Sequence, residues 1–102
     1  MFDFERLNVY QKAFALNREI FKFLKINSFI DNFLKDQLKR ASCSVIANIA
    51  EGTGRLSKAD KCRFYIISRG SACEVASFLM IILDQYPDKL KTEQYSKFKS
   101  AL

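Results

Sequence analysis

The sequence predicts an all-α protein, an antiparallel up-and-down four-helix bundle with a short or truncated fourth helix. Three observations favour this fold class. Apolar residues recur at helical spacing over three long segments, a single proline and three glycines leave few turn signals, and 49% hydrophobic residues supply one core. At 102 residues the chain is near the lower end of common domain sizes. We therefore expect one domain over residues 1–102.

The first helix is predicted from about Phe4 to Leu24. Its apolar stripe contains Leu7, Tyr10, Phe14, Phe21 and Leu24. We expect the aromatic residues of this stripe to lie in the core. A short break at Asn27 and Ser28 follows.

The second helix is predicted to begin near Ser28 or Phe29 and to end at Glu51. The residues expected to face inward are Phe33, Leu34, Leu38, Ala41, Val45 and Ile49. Gly52 follows, and glycine readily adopts the backbone conformation that ends a helix.

The third helix is predicted from Ser57 to about Gln85. Ser57 with Asp60 reads as a variant of the capping box, in which the serine hydroxyl accepts a hydrogen bond from a free backbone N–H. Its expected stripe contains Phe64, Ile67, Ser71, Val75, Phe78 and Ile82. Pro87 ends this helix. The fourth helix would follow between Lys89 and Leu102.

Composition excludes several function classes. Seventeen Lys and Arg against eleven Asp and Glu give a net charge of +6, which favours polyanionic partners such as RNA. The chain has no histidine and so lacks the commonest general base and a frequent metal ligand. We therefore expect a noncatalytic protein with no metal and no cofactor.

Three cysteines also bear on the cellular setting. Cys43, Cys62 and Cys73 lie in apolar helical segments without metal-type spacing, so we expect reduced core thiols in a bacterial cytoplasm. The N-terminus carries acids instead of a basic leader. The longest apolar runs are far below the roughly 20 residues that cross a bilayer, so no membrane association is expected.

Polar residues on the second and third helices predict a network between them. If the two helices fold back on each other, residues whose numbers sum to about 110 should face one another. An ion pair between Arg40 and Glu74 then becomes geometrically possible. The predicted structural or interface network contains Gln37, Arg40, Asn48, Glu51, Arg69 and Glu74. The alternative is a ligand or subunit site.

The turn between these helices is glycine-rich and basic. Four cations cluster at the start of the third helix, and they are Arg55, Lys58, Lys61 and Arg63. A helix N-terminus offers backbone donors in a positive field, so this corner is a candidate for contact with an RNA backbone. A solvated basic corner is the competing interpretation. The spacing of a Walker motif is absent.

Several separated blocks resemble the 23S rRNA intervening-sequence proteins. The matching stretches are residues 4–13, 37–44, 48–55 and 69–74. The resemblance implies an antiparallel four-helix bundle that assembles as a ring-shaped homopentamer and is encoded in some bacteria within insertions in the large ribosomal RNA gene. The accessory proteins of diversity-generating retroelements resemble this bundle in fold and bind a reverse transcriptase and its template RNA.

This resemblance makes binding of RNA or a ribonucleoprotein the leading expectation. The alternative is a protein-interaction scaffold with no direct nucleic-acid contact. Fold alone does not choose between them.

Overall fold

The computed structural model describes residues 3–89. A 3-10 helix at Asp3–Arg6 precedes three α-helices, which are α1 (Asn8–Ile26), α2 (Asn32–Thr53) and α3 (Lys58–Gln85). Within residues 3–89 there is no strand, so the all-α prediction is confirmed for this part of the chain. The predicted fourth helix lies outside the described residues from position 90 onward.

The helix α2 is the central element of this arrangement. Both α1 and α3 pack along α2, whereas direct contact between α1 and α3 is sparse. The buried core lies toward the end where α1 stops, α2 starts and α3 stops. Its members are Ile20, Phe23, Leu24, Ile30, Leu38, Ala41, Val75, Leu79 and Ile82.

Side-chain caps fix where α2 and α3 begin. The Oδ1 atom of Asp31 accepts a hydrogen bond from the N–H of Phe33 at 2.9 Å, so α2 starts after Asp31 and a few residues later than expected. The hydroxyl of Tyr86 accepts the N–H of Asp31 at 3.0 Å and ties the end of α3 to this start. The Oγ atom of Ser57 accepts the N–H of Asp60 at 3.1 Å, which confirms the predicted cap of α3.

Gly52 has a different role from the one predicted. No residue among those described has a positive φ, and α2 continues through Gly52 to Thr53. Gly52 is buried, and an added Cβ would lie 2.9 Å from Cε1 of Tyr65 and 3.0 Å from Cβ of Phe64. Glycine is therefore needed here because α2 and α3 approach closely, not because the backbone turns.

Some residues expected inside are on the surface. Phe33 is 64% exposed because it lies beside the inward stripe that includes Leu38 and Ala41. Ile67 is 44% exposed, since Ser68 takes the buried position on α3. Apolar residues surround much of α3, so periodicity alone did not fix which face meets α2.

The prediction that the three cysteines lie in the core is wrong. Cys43, Cys62 and Cys73 are all free and exposed, so none is a core thiol. Cys43 lies at the edge of the contact between α1 and α2, where its Sγ atom accepts a hydrogen bond from the side-chain amide of Asn17 at 3.6 Å.

The helix α3 is long and apolar enough, by length and composition, to cross a membrane. Only 28% of its most apolar 18-residue stretch is buried within the chain. Its apolar residues therefore divide between a face on α2 and a face exposed to solvent.

Candidate nucleic-acid interface

The turn from α2 to α3 carries an ion pair. The Nη2 atom of Arg55 donates to Oε1 of Glu51 at 2.5 Å, and the two side chains are 42% and 52% exposed. The two residues are four positions apart, so the bond spans the C-terminal end of α2. Because the pair is exposed, it contributes little to stability, and its main effect is to orient the guanidinium.

Two arginines lie over one aromatic ring at this turn. The Cζ atoms of Arg55 and Arg63 are each 4.7 Å from the ring centroid of Phe64. Such cation–π contacts are worth about 0.5–1 kcal/mol each at exposed sites. The Phe64 ring therefore holds two guanidinium groups close to the first turns of α3.

Two lysines complete the cluster of four cations. Lys58 is the first residue of α3 and is exposed, and Lys61 is half-buried one turn further along. Within residues 3–89 neither ammonium group has a salt bridge. The carboxyl group of Asp60 lies in the same first turn. The corner therefore has four cations against two acids, Asp60 and Glu51, and adds the positive end of the α3 dipole.

Tyr65 is a part of this corner that sequence reasoning missed. Its hydroxyl is 2.9 Å from Oγ1 of Thr53, which in turn donates to the carbonyl of Ile49 at 2.8 Å. The Thr53 proton is used on Ile49, so the Tyr65 hydroxyl is the donor to Thr53. No pattern in the sequence marked Tyr65, because its contact with Gly52 depends on how closely α2 and α3 approach.

The polar contacts between α2 and α3 are made by serines. The hydroxyls of Ser44 and Ser71 are 2.8 Å apart, and the Ser68 hydroxyl donates to the carbonyl of Val45 at 2.8 Å. Asn48 donates its side-chain amide to the Ser44 carbonyl at 2.8 Å and to the Ser44 hydroxyl at 3.0 Å. The numbers of facing residues sum to 113 and 115, so the register is displaced from the predicted 110.

The charged members of the predicted network do not meet between α2 and α3. Arg40, Arg69 and Glu74 are exposed, and Gln37 is half-buried. In the part of the chain that the structure describes, Glu51 forms its ion pair with Arg55, and no salt bridge joins Arg40 to Glu74. The expectation that these charges meet inside the bundle is therefore corrected. Their outward positions keep the two apart, although the observed register places them at a similar level along the helices.

A groove of about 590 Å³ separates α1 from α3 above α2. Its apolar walls include Leu16, Val45, Ile49 and Ala72, and Lys12 and Arg69 lie among its lining residues. The groove occupies the half of the molecule near the α2–α3 turn, beyond the buried core. No group of three or more potential metal ligands occurs among the described residues.

Comparison with known families shows which protein family the chain belongs to. The family model for the 23S rRNA-intervening sequence protein matches residues 5–102. The chain belongs to this family. The match includes both the basic turn and the serine contacts between α2 and α3.

A solved structure shows the same fold. It is a crystal structure of a protein with unknown function from the S23 ribosomal protein family of Bacteroides thetaiotaomicron. The two chains share 23% identity with a TM-score of 0.81, over 91% of this chain and 86% of that chain. A search of curated proteins found no match.

Proposed function

We propose that this protein is a noncatalytic, basic and oligomeric RNA-binding protein that contacts RNA phosphates through the α2–α3 turn. The main support for this proposal is the cluster of Arg55, Lys58, Lys61 and Arg63 around the start of α3. Membership in a family named for an rRNA intervening sequence supports RNA as the polyanion. A chain without histidine supports a binding role without catalysis.

The geometry of the turn suits a phosphate backbone. Arg55 and Arg63 are held on Phe64, so their guanidinium planes lose less rotamer freedom when they bind. Guanidinium groups donate two parallel hydrogen bonds to a phosphate, and Lys58 adds a point charge beside them. Contacts of this type depend on charge and backbone shape and so do not read base sequence.

The ion pair with Glu51 reduces the ability of Arg55 to bind phosphate. Arg55 must exchange a carboxylate for a phosphate, whereas Arg63 has no ion-pair partner within residues 3–89. We therefore expect Arg63 and Lys58 to bind phosphate directly and Arg55 to compete with Glu51. The Phe64 ring supplies position rather than base stacking, because the two guanidinium groups occupy its surroundings.

We also propose a fourth helix, assembly as an oligomer and a cytoplasmic location. We expect a fourth helix from residues 89–102 to complete the bundle, which the apolar groove between α1 and α3 supports. Assembly as a homopentamer is the expectation that the family resemblance carries. Exposed free cysteines suit a reducing compartment, which supports the bacterial cytoplasm.

A titration with a fluorescently labelled RNA hairpin, at 50 mM and 200 mM salt, tests RNA binding. The double variant Arg55→Ala with Lys58→Ala should weaken binding about tenfold or more and reduce the salt dependence. Lys22→Ala with Lys25→Ala is the matched control, because it removes the same charge from the far end of α1. If the wild type does not bind the hairpin at low salt, the proposed site is wrong. It is also wrong if both double variants lose the same amount of RNA affinity.

A protein-interaction scaffold is the second candidate function. The exposed apolar residues of α3, which include Ile66 and Met80, favour it. In that case the chain would assemble normally but would show no salt-dependent binding to the hairpin. The same titration, combined with sedimentation, separates the two functions.

A further inference from the structure

We infer that the end of α1 and the start of α2 form a pocket that binds a phosphomonoester group. The pocket has a volume of about 480 Å³ and lies at the opposite end of α2 from the basic turn. Four lysines line it, and they are Lys22, Lys25, Lys35 and Lys39. The pocket is a site separate from the α2–α3 turn, and its ligand is a terminal phosphate instead of an RNA backbone, so it goes beyond the proposed function.

The pocket has the size and the walls of a small-ligand site. Ligand pockets in proteins commonly measure about 300–1,000 Å³ and combine apolar walls with a few polar groups. Here the apolar wall contains Phe21, which is 39% exposed, and Leu24, which is buried. Two of the lysines, Lys35 and Lys39, are half-buried, and the other two are exposed. The pocket thus offers cations beside an apolar surface.

Contacts within the chain hold two of the ammonium groups in place. The Nζ atom of Lys35 donates to the carbonyl of Ser28 at 2.9 Å, and the Nζ atom of Lys39 lies 5.5 Å from the ring centroid of Phe21. A lysine ammonium has three donors, so Lys35 keeps two for a ligand. Because these two side chains are already positioned, they lose less conformational entropy when an anion binds.

The positive charge of the pocket is unbalanced. No acid occurs among its described lining residues, and none of the four lysines has a salt bridge within residues 3–89. Like charges that are gathered in one place repel one another and destabilise the folded chain. A bound anion offsets this repulsion, so the arrangement favours an anionic ligand.

The helix α1 does not need these lysines to satisfy its C-terminal end. Cations near a helix C-terminus can bind its last carbonyls. The carbonyl of Phe23, however, accepts the backbone N–H of Asn27 at 3.0 Å and the side-chain amide of Asn27 at 2.9 Å. Lys25 lies in the last turn, where the helix dipole favours a cation. The dipole therefore accounts for one of the four lysines, and the others call for another explanation.

A terminal phosphate suits this pocket better than a phosphodiester backbone. A phosphomonoester carries a charge of about −1.5 to −2 at pH 7 and three strong acceptor oxygens, whereas each phosphodiester carries a single charge. Its oxygens can therefore accept from several ammonium groups at once. Phe21 adds an apolar surface for the group that carries the phosphate. The phosphate belongs either to a free nucleotide or to the 5′ end of an RNA strand.

Calorimetric titration with adenosine 5′-monophosphate tests the pocket, and adenosine is the matched ligand without phosphate. At pH 7.5 and 50 mM salt, the nucleotide should bind about tenfold or more tightly than adenosine. Lys22→Gln with Lys39→Gln removes one charge from each helix and keeps much of each stem, and it should weaken nucleotide binding about tenfold or more. Arg55→Gln with Lys58→Gln is the matched control and should leave this binding within about twofold.

Two further measurements identify the ligand chemistry. Between pH 7.5 and pH 5.5 the phosphomonoester gains a proton, because its second pKa is about 6, so affinity should fall about threefold or more. The chain has no histidine side chain to titrate in this range. A 5′-phosphorylated RNA tetranucleotide that binds more tightly than the mononucleotide identifies an RNA end as the ligand. A tetranucleotide that binds no more tightly identifies a free nucleotide.

Three results would overturn the phosphomonoester site. They are a wild type that does not bind the nucleotide at 50 mM salt, adenosine that binds as tightly as the nucleotide, and equal losses in the two double variants. None of these results bears on the α2–α3 turn, which the hairpin titration tests. A hairpin without terminal phosphates should keep its affinity for the variant Lys22→Gln with Lys39→Gln. A loss of hairpin affinity in that variant equal to the loss in Arg55→Gln with Lys58→Gln would show one general basic surface and would also overturn the separate site.

Discussion

The Cα atom of Gly52 lies so close to the ring of Tyr65 that a Cβ added there would be 2.9 Å from Cε1. This contact brings the last turn of α2 against the second turn of α3. The hydroxyl of the same tyrosine reaches Thr53 at 2.9 Å, so the ring is held at both its edge and its tip. Packing of this pair therefore fixes the position of the basic turn that joins the helices.

Replacing Gly52 by alanine should destabilise the fold. The new methyl group would overlap Tyr65 and Phe64, and overpacking of this kind typically costs about 1–3 kcal/mol. Gly70→Ala is the matched control, since its Cβ would meet nothing and the gain in helix propensity should stabilise the monomer by about 0.5–1 kcal/mol. Urea unfolding at a dilution where the chain is monomeric measures both. A change of the same sign in the two variants would contradict the different roles assigned to these glycines.

Removal of the cap at Ser57 should lower the free energy of unfolding. The hydroxyl satisfies the N–H of Asp60 at 3.1 Å, and loss of such a cap costs about 0.5–2 kcal/mol. Ser28→Ala provides the comparison, because that exposed serine uses only its carbonyl, which accepts from Lys35. Thermal unfolding of both variants tests the expectation, and an equal loss in the two would show that the cap contributes nothing specific.

The serine pair between α2 and α3 should behave as a coupled unit. Ser44→Ala and Ser71→Ala should each cost about 1 kcal/mol, because each leaves the other hydroxyl in a half-buried site without this partner. The double variant should lose less than the two single losses together, by about 0.5 kcal/mol or more. Strict additivity in urea unfolding would mean that the 2.8 Å contact is not an energetic interaction.

Neutralising Glu51 should strengthen RNA binding. Glu51→Gln removes the carboxylate that competes with phosphate for Arg55, so one more cation becomes available. We expect higher affinity at 50 mM salt and a log–log salt slope steeper by up to about 0.9. Because the ion pair is exposed, stability should change by less than about 1 kcal/mol. Asp36→Asn, an exposed acid on α2, is the matched control, and a gain that is equal in both variants would indicate a general charge effect.

Features that depend on neighbouring residues could be predicted from the sequence. The Ser57 cap and the end of α3 before Pro87 follow from local backbone chemistry, and both agree with the structure. The bounds of α2 were less accurate, because the cap at Asp31 competed with an earlier start at Ser28. Local signals therefore located the helices to within a few residues.

Features that depend on packing between helices were harder to predict. The observed register places Ser44 opposite Ser71, and the rotation of the two helices turns Arg40 and Glu74 outward, so the two charges do not meet. The apolar content of α3 also hid which side is buried, so Cys73 was assigned to the core although it is exposed. The stacking of two arginines on Phe64 depends on the path of the turn, which no periodicity specifies.

The central position of α2 has a consequence for the order in which the protein comes apart. Since α1 and α3 each pack on α2 and have few direct contacts with one another, we expect either one to detach while the remaining two helices stay paired. Backbone amides near Ala41, buried midway along α2, should therefore exchange with deuterium only when the whole domain unfolds. Amides in the first turns of α1 lie far from the buried cluster. They should exchange through partial openings that need less free energy than global unfolding. We therefore expect α2, the helix in the middle of the chain, to be the last structure lost on unfolding.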